Sequence, residues 1–341
     1  MTRVPESDSV FERIEKLLEN SERSRTDLRL LHRLLKTVGD LVEGKASTLD
    51  IKIASSALEE MVKAYDVFAP YRNTPKVSIF GSARTAPNSE IYDLTVRTAA
   101  ALADSGFMVV TGAGPGIMEA GMVGAGREKS IGVSIRLPFE TGANSVIAGD
   151  EKYVSMRYFF TRKLMLVKES QAFLCLPGGF GTLDETFELL TLAQTAKSVP
   201  VPIVFLEVPG QPFWTPLMNA MEPLLIEHGL ITPSDVTLYR ITNSVEDAVS
   251  EITSFYRNYH SLRFVGDRMY LRLQRAIPEN AFVDIARKYS HLSSDGIVEQ
   301  TVPTPEELSD DDVVDLHRVA LHYKAKGFAD IRPLIDELNQ Y

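Results

Sequence analysis

Apolar positions recur along this chain in two rhythms, and the change from one to the other divides it. Over residues 1–70 they fall three and four apart. Val10, Ile14, Leu17 and Leu18 make one stripe, and Leu28, Leu31, Leu34, Leu35 and Val38 make a second. Ala54, Leu58, Met61 and Tyr65 make a third, with Asp50 as its expected N-cap. Such spacing gathers apolar side chains on one helical face, so three amphipathic helices are predicted. Pro70 and Pro75 then bracket a short linker.

From Lys76 onward short apolar runs alternate with helical patterns. Runs at 77–80, 107–110, 131–135, 173–176, 203–206 and 236–241 read as strands. Most are apolar at successive positions, which is what a strand covered on both faces needs. Helices are predicted over 91–105, from 117 to about 129, over 156–169, from Thr182, over 214–228 and over 244–260. Residues 137–153 read as a long polar loop. The predicted fold class is therefore α/β: a doubly wound, Rossmann-like parallel sheet with added N-terminal helices and a C-terminal α+β extension. The expected parts are a helical arm over 1–74, the Rossmann-like domain over 75–260 and the extension over 261–341. In the extension a strand is predicted at 268–273 and helices at 279–289, 310–326 and 330–338. The arm reads either as an oligomerisation or regulatory element or as a cover on the core.

Composition narrows the class of partner. The chain has 341 residues, of which 44% are hydrophobic and 24% charged, enough to bury a sizeable core. A net charge of −10 disfavours a general nucleic-acid surface, so no nucleic-acid partner is expected. No apolar run approaches the ~20 residues of a membrane span, and no basic and apolar leader pattern is seen. The expectation is therefore no membrane partner and a cytoplasmic location. The single cysteine, Cys175, sits in an apolar run and reads as a packed small hydrophobe. The histidines are scattered, so no metal site and no cofactor are expected.

The candidate chemistry lies in the turns after the strands, because ligands of open parallel sheets sit beyond the carboxyl ends of the strands. Three such turns carry glycines: Gly81 with Ser82; Gly112, Gly114 and Gly116; and Gly178, Gly179 and Gly181. The second departs from the dinucleotide spacing G-x-G-x-x-G, and no acidic residue ends the next strand, so dinucleotide binding is disfavoured. The third is more specific. Its three glycines precede a helix whose first N–H groups are free, which makes a socket for an anion such as a phosphate. Asp184, Glu185 and Glu188 follow. Thr182 and Glu185 have capping-box spacing, so Glu185 reads as a cap or as a catalytic carboxylate. The glycine socket and the upstream cations Arg162 and Lys163, set among aromatic and apolar residues, favour the catalytic reading.

These residues resemble a known family. Ser82, the run Gly112-Ala-Gly114-Pro-Gly116-Ile-Met-Glu119, the Arg162 and Lys163 pair, and Pro177-Gly-Gly-Phe-Gly-Thr-Leu-Asp-Glu185 are similar to the Lonely Guy family. The resemblance covers about residues 75–255. Residues 137–140 and the form of residues 159–163 resemble its longer, bacterial branch. The family cleaves the N-glycosidic bond of nucleoside 5′-monophosphates, including cytokinin nucleotides, to free base and ribose 5-phosphate. The resemblance implies Arg162 and Glu185 as the catalytic pair. It implies substrate binding by Gly81, Ser82, Gly112, Gly114, Gly116, Glu119, Lys163, Gly178, Gly179, Gly181 and Thr182. It implies a homo-oligomer, a dimer or larger. Short members often have Met-His where this chain has Phe159 and Phe160, which leaves the base preference open. The alternative is a non-catalytic carrier of a nucleotide or of the molybdenum cofactor, on the same fold. A decarboxylase reading finds no lysine site for pyridoxal phosphate here.

Overall fold

A computed structural model describes residues 7–136, 142–324 and 327–341. The chain forms two compact units, residues 1–59 and residues 60–341. The first holds α1 (Ser7–Glu19), α2 (Arg25–Glu43) and the start of α3 (Thr48–Phe68). Ser24 caps α2 by accepting from Asp27 N. At α3 the cap is Ser47 rather than the expected Asp50. The Ser47 N–H and hydroxyl donate to Asp50 Oδ2 at 2.8 and 2.7 Å, and Asp50 N donates back to Ser47 Oγ. The two form a reciprocal box, with Asp50 in the third helical position. No residue of α2 is buried.

The second unit is built on a parallel sheet of seven strands, β1 (Lys76–Phe80), β2 (Met108–Thr111), β3 (Ser130–Ile135), β4 (Tyr153–Met156), β5 (Ala172–Cys175), β6 (Ile203–Leu206) and β7 (Arg240–Thr242). Their order is β4-β3-β2-β1-β5-β6-β7. The connecting helices are α4 (Glu90–Asp104), α5 (Ile117–Ala125), α6 (Phe159–Lys168), α7 (Phe180–Gln194), α8 (Trp214–Glu227) and α9 (Val245–Phe255). One face of the sheet packs Phe80, Val133, Phe173 and Phe205 against Ala64 and Phe68 of α3, Met165 and Leu166 of α6, and Trp214 of α8. The other face packs Ile79, Val109 and Leu174 against Leu94 and Leu102 of α4 and Ile252 of α9. Both faces are buried, which is why the central strands carry apolar residues at mostly successive rather than alternate positions. The α/β doubly wound class stands.

The chain winds outward from β1 through β2 and β3 to β4, then returns to place β5 on the other side of β1. The direction of winding thus reverses between β1 and β5. This is where an open sheet leaves a crevice at its carboxyl edge.

Several element readings change. β4 was not foreseen: it follows the polar loop, lies at the sheet edge and buries only alternate residues. The helix predicted from 156 is α6, starting after β4. The strand predicted at 236–241 is a 3-10 turn, Pro233–Leu238, followed by β7. The helix predicted over 244–260 ends at Phe255, and Tyr259 opens β8 (Tyr259–Val265). With β9 (Arg268–Leu273), β10 (Ser293–Thr301) and β11 (His317–Tyr323) it makes a four-stranded antiparallel sheet, order β10-β11-β9-β8. α10 (Glu279–Tyr289), the short α11 (Pro305–Asp310) and α12 (Arg332–Leu338) complete this part. The helix predicted over 310–326 is thus corrected: His317–Tyr323 is a strand paired on both sides. No described helix is long and apolar enough to cross a membrane.

Candidate active site

The crevice between β1 and β5 opens into a cleft of about 960 Å³. One wall is the turn after β1. Ser82 N donates to the Pro177 carbonyl at 3.2 Å, and Ile117 N donates to the Ser82 carbonyl at 3.0 Å, so the three glycine turns are tied together. Gly116 makes this approach possible: its φ is +67°, and a Cβ there would lie 2.4 Å from Ser82 O.

The facing wall is the start of α7. The helix begins at Phe180 with Gly179 as N-cap, and no side chain caps it. Thr182 is therefore the third helical residue and Glu185 lies a turn further on. The capping-box reading of Thr182 and Glu185 is not what the fold makes. Nothing lies within 4 Å of the Cβ positions of Gly179 and Gly181, and both residues line the cleft, so the helix start is bared to it. An uncapped N-terminus bared by glycine is a place for an anion. Gly178 has a different task. A Cβ there would sit 2.1 Å from Thr182 Oγ1, so the turn folds down onto Thr182 only with glycine at 178.

The floor carries an ion pair. Arg162, on the first turns of α6, points its Nη1 at Glu185 Oε1 across 3.0 Å, and its Nε donates to the Val133 carbonyl at 3.1 Å. The side chains of Arg162 and Glu185 are 10% and 13% exposed. Among the described residues Nη2 makes no hydrogen bond, and it lies over Gly112, where a Cβ would come within 2.5 Å of it. Burial pushes the Glu185 carboxyl above its ordinary range, and the charges of Arg162 and Lys163 pull it back only in part. Lys163 faces the same cleft but is held by α7: its Nζ lies 2.6 Å from Asp184 Oδ2 and 2.8 Å from Glu188 Oε2. Burial works against its charge, and these two carboxylates outweigh it, so its pKa is raised.

Gly81, Ser82, Arg162, Lys163, Gly178, Gly179, Gly181, Thr182 and Glu185 all line the cleft. Gly112, Gly114 and Gly116 do not. They lie behind it, under Arg162, Met118 and the Ser82 turn. Glu119 is also off the cleft, near Tyr92, whose phenol is pushed up by burial first and by the Glu119 charge second.

Lining residues that sequence reasoning did not place at the site include Arg84, Met118, Phe213 and Leu217, and Phe159, noted there only for base preference, lines it too. Arg84 and Met118 stand beside the glycines and were legible as neighbours of the motifs. Phe213 and Leu217 were not, because α8 comes to the cleft from far along the chain. It is anchored by Trp214, which stacks on Phe205 at 4.5 Å and donates to the Cys175 carbonyl at 2.9 Å. Glu207 accepts from the N–H groups of Phe213, Trp214 and Thr215. Cys175 is fully buried, and burial pushes its thiol up to about 12, which fits a packing role. No cluster of three or more metal-ligating side chains occurs among the described residues.

Residues 115–252 match the family model described as "Possible lysine decarboxylase". A probable cytokinin riboside 5′-monophosphate phosphoribohydrolase of Oryza sativa subsp. japonica is 26% identical over 144 residues, 42% of this chain and 55% of that protein. The cytokinin riboside 5′-monophosphate phosphoribohydrolase of Rhodococcoides fascians is 32% identical over 93 residues, 27% of this chain and 45% of its own length. The matched segment is thus similar to the phosphoribohydrolases of the Lonely Guy family. It spans about half the length of the curated relatives it matches. Residues 137–140, which resemble the long branch of the Lonely Guy family, lie outside the described residues. Among solved structures, the molybdenum cofactor binding protein of Rippkaea orientalis aligns with 53% of this chain and 96% of its own, at 17% identity and a TM-score of 0.37.

Proposed function

We propose that this chain hydrolyses the N-glycosidic bond of a nucleoside 5′-monophosphate, AMP or an N6-substituted AMP, releasing the base and ribose 5-phosphate. The observation that carries the reading is the Arg162–Glu185 pair, buried at the floor of the cleft below an uncapped helix start. A binding pocket for phosphate needs the helix start. It does not need a carboxylate held up in pKa beside a guanidinium.

The chemistry follows from charge. As the C1′–N bond breaks, its electrons leave with the base and the ribose becomes an oxocarbenium ion. The Glu185 carboxylate stabilises that positive charge, and the accompanying water delivers oxygen to C1′ and a proton to the departing base. Arg162 offers its free Nη2 to the negative charge that builds on the base. Its pKa is too high for ready proton donation, so its help is electrostatic. The 5′-phosphate on the N–H groups of the α7 start, with Thr182, fixes the ribose over Glu185. The apolar wall of Phe159, Phe213 and Leu217 supports a flat base with an apolar substituent. Phe159, Phe160 and Leu164, all exposed, support self-association beside the cleft.

The test is direct. Purified protein is incubated with AMP and with isopentenyladenosine monophosphate, and free base is followed by chromatography. Base release from at least one nucleotide is expected. Binding of both without release would remove the hydrolase and leave the carrier reading.

A further inference from the structure

The helix that carries Arg162 does not cap itself. α6 has Tyr158 as N-cap, and the Tyr158 side chain makes no capping hydrogen bond. A capping box would place Glu or Gln at the third helical position to take the N-cap N–H. That position here is Thr161, a donor on the wrong side of the bargain. The acceptor comes from elsewhere. Glu60 of α3, about a hundred residues away in sequence, reaches in with Oε1 2.6 Å from Arg157 N and Oε2 3.4 Å from Tyr158 N. The Thr161 hydroxyl lies 2.8 Å from Oε2 and 2.9 Å from the Tyr158 carbonyl. Glu60 is 7% exposed and Thr161 is fully buried, so these bonds form out of reach of water.

From this we infer that Glu60 is a positioning residue for Arg162: it supplies the missing capping carboxylate of α6 and so fixes the turn from which the guanidinium projects. The links are continuous. Glu60 holds the Tyr158 N–H; the Tyr158 carbonyl accepts from Arg162 N at 3.2 Å; Arg162 then spans Val133 and Glu185. A carboxylate at a helix start is favoured by the helix dipole, and bonds to a charged acceptor are stronger than neutral ones. Glu60 is itself held in place. Ala64 and Phe68, one and two turns along α3, are buried in the cluster that contains Met165 and Leu166 of α6, and Tyr65 lies under the Lys168 ammonium. α3 thus runs along α6, with Glu60 at the start of α6 and Tyr65 near its end.

The kinetic arm of the test rests on the proposed hydrolase; the exchange arm does not. In the full chain, Glu60→Gln keeps size but turns an NH₂ toward N–H donors. Amide exchange in residues 153–168 is expected to rise roughly tenfold, with strands β1 and β5 unchanged. With AMP as probe, kcat is expected to fall roughly 10- to 100-fold with KM within about threefold, as for a misplaced catalytic group. Thr161→Val, which removes the hydroxyl donor alone, is expected to move both readouts the same way by less. Unchanged exchange in 153–168, or a rise spread evenly over the whole sheet, overturns the inference. So does local opening without loss of kcat. If the wild-type chain frees no adenine, the hydrolase reading falls, and the exchange arm alone decides whether Glu60 is the cap.

Discussion

Glu185 on the parallel-sheet core and Glu307 on the C-terminal antiparallel sheet both face arginines out of solvent, yet they are held in opposite ways. Glu307 is fully buried and every lone pair is used. Its Oε1 accepts from Arg272 Nε and Nη2 at 2.9 and 2.7 Å, and its Oε2 from Arg318 Nε at 3.1 Å and Thr304 N at 3.0 Å. Burial opposes its charge, but these bonds outweigh it and hold the carboxyl below its ordinary range. Glu185 accepts from Arg162 Nη1, is open to the cleft, and has its pKa raised. A saturated pair welds three elements together and has nothing left for a ligand. A pair left short of partners, at the floor of a cleft, keeps the capacity to bind and to change charge.

Exchanging the same atom at the two sites breaks the comparison most sharply. Glu185→Gln is expected to lower turnover of AMP by about 10³-fold, with binding of the nucleotide by calorimetry within about threefold, since one charge facing the transition state is lost. Glu307→Gln is expected to leave turnover per folded molecule unchanged and to destabilise the chain by about 3 kcal/mol, because the buried Arg318 then lacks its carboxylate and Arg272 keeps only Asp312. Thermal melts and base release separate the outcomes. Turnover retained in Glu185→Gln would return that residue to a purely structural role.

Two glycines sharpen the picture at smaller amplitude. A Cβ at Gly112 would press on Arg162 Nη2 at 2.5 Å and on Met118 Sδ at 2.6 Å, whereas one at Gly179 would meet nothing within 4 Å. Arg162 is pinned by Val133 and Glu185 and has little room to yield. Gly112→Ala is expected to lower kcat about tenfold. Gly179→Ala is expected to raise KM several-fold by shielding the α7 N–H groups, with kcat near that of the parent. Steady-state kinetics on AMP reads both, and the reverse pattern would mean that phosphate sits over Gly112 instead.

What the sequence made legible follows from how each feature is encoded. Five of the sheet strands carry apolar residues at mostly successive positions, and the glycine turns after β1, β2 and β5 fall at their ends, so the fold class was readable, whereas the pairing of Arg162 with Glu185 came from the family resemblance. β4 was not, because an edge strand buries alternate residues and Tyr153-Val-Ser-Met156 merges with the polar loop before it. β11 fell inside a segment read as a helix, 310–326. Arg318 is in fact buried, its charge met by Glu307 from α11. The start of α7 was placed two residues late because Thr182 and Glu185 imitate a cap. Glu60 had no local signal at all: its partners lie about a hundred residues away, and only the packing of α3 on α6 brings them together.

Acid titration distinguishes the two carboxylates by a quieter effect. The reaction needs Glu185 ionised, and its pKa is raised, so kcat/KM is expected to fall on acidification with a midpoint above the ordinary glutamate range, about tenfold per pH unit below it. For the fold the signs differ. The Glu185 pKa is raised above its unfolded value, so its contribution to stability is present at low pH and is lost as pH rises through the folded pKa. The Glu307 pKa is depressed, so its contribution is present above the unfolded pKa and is lost only as pH falls through the lower, folded one. Activity is therefore expected to disappear on acidification while ellipticity and melting temperature still hold, with unfolding at lower pH. Glu307→Gln is expected to leave the activity midpoint where it was and to change the acid dependence of the melt. If activity and fold were lost together at one pH in the parent chain, the kinetic midpoint would report unfolding, and the separate charge states argued for Glu185 and Glu307 would not hold.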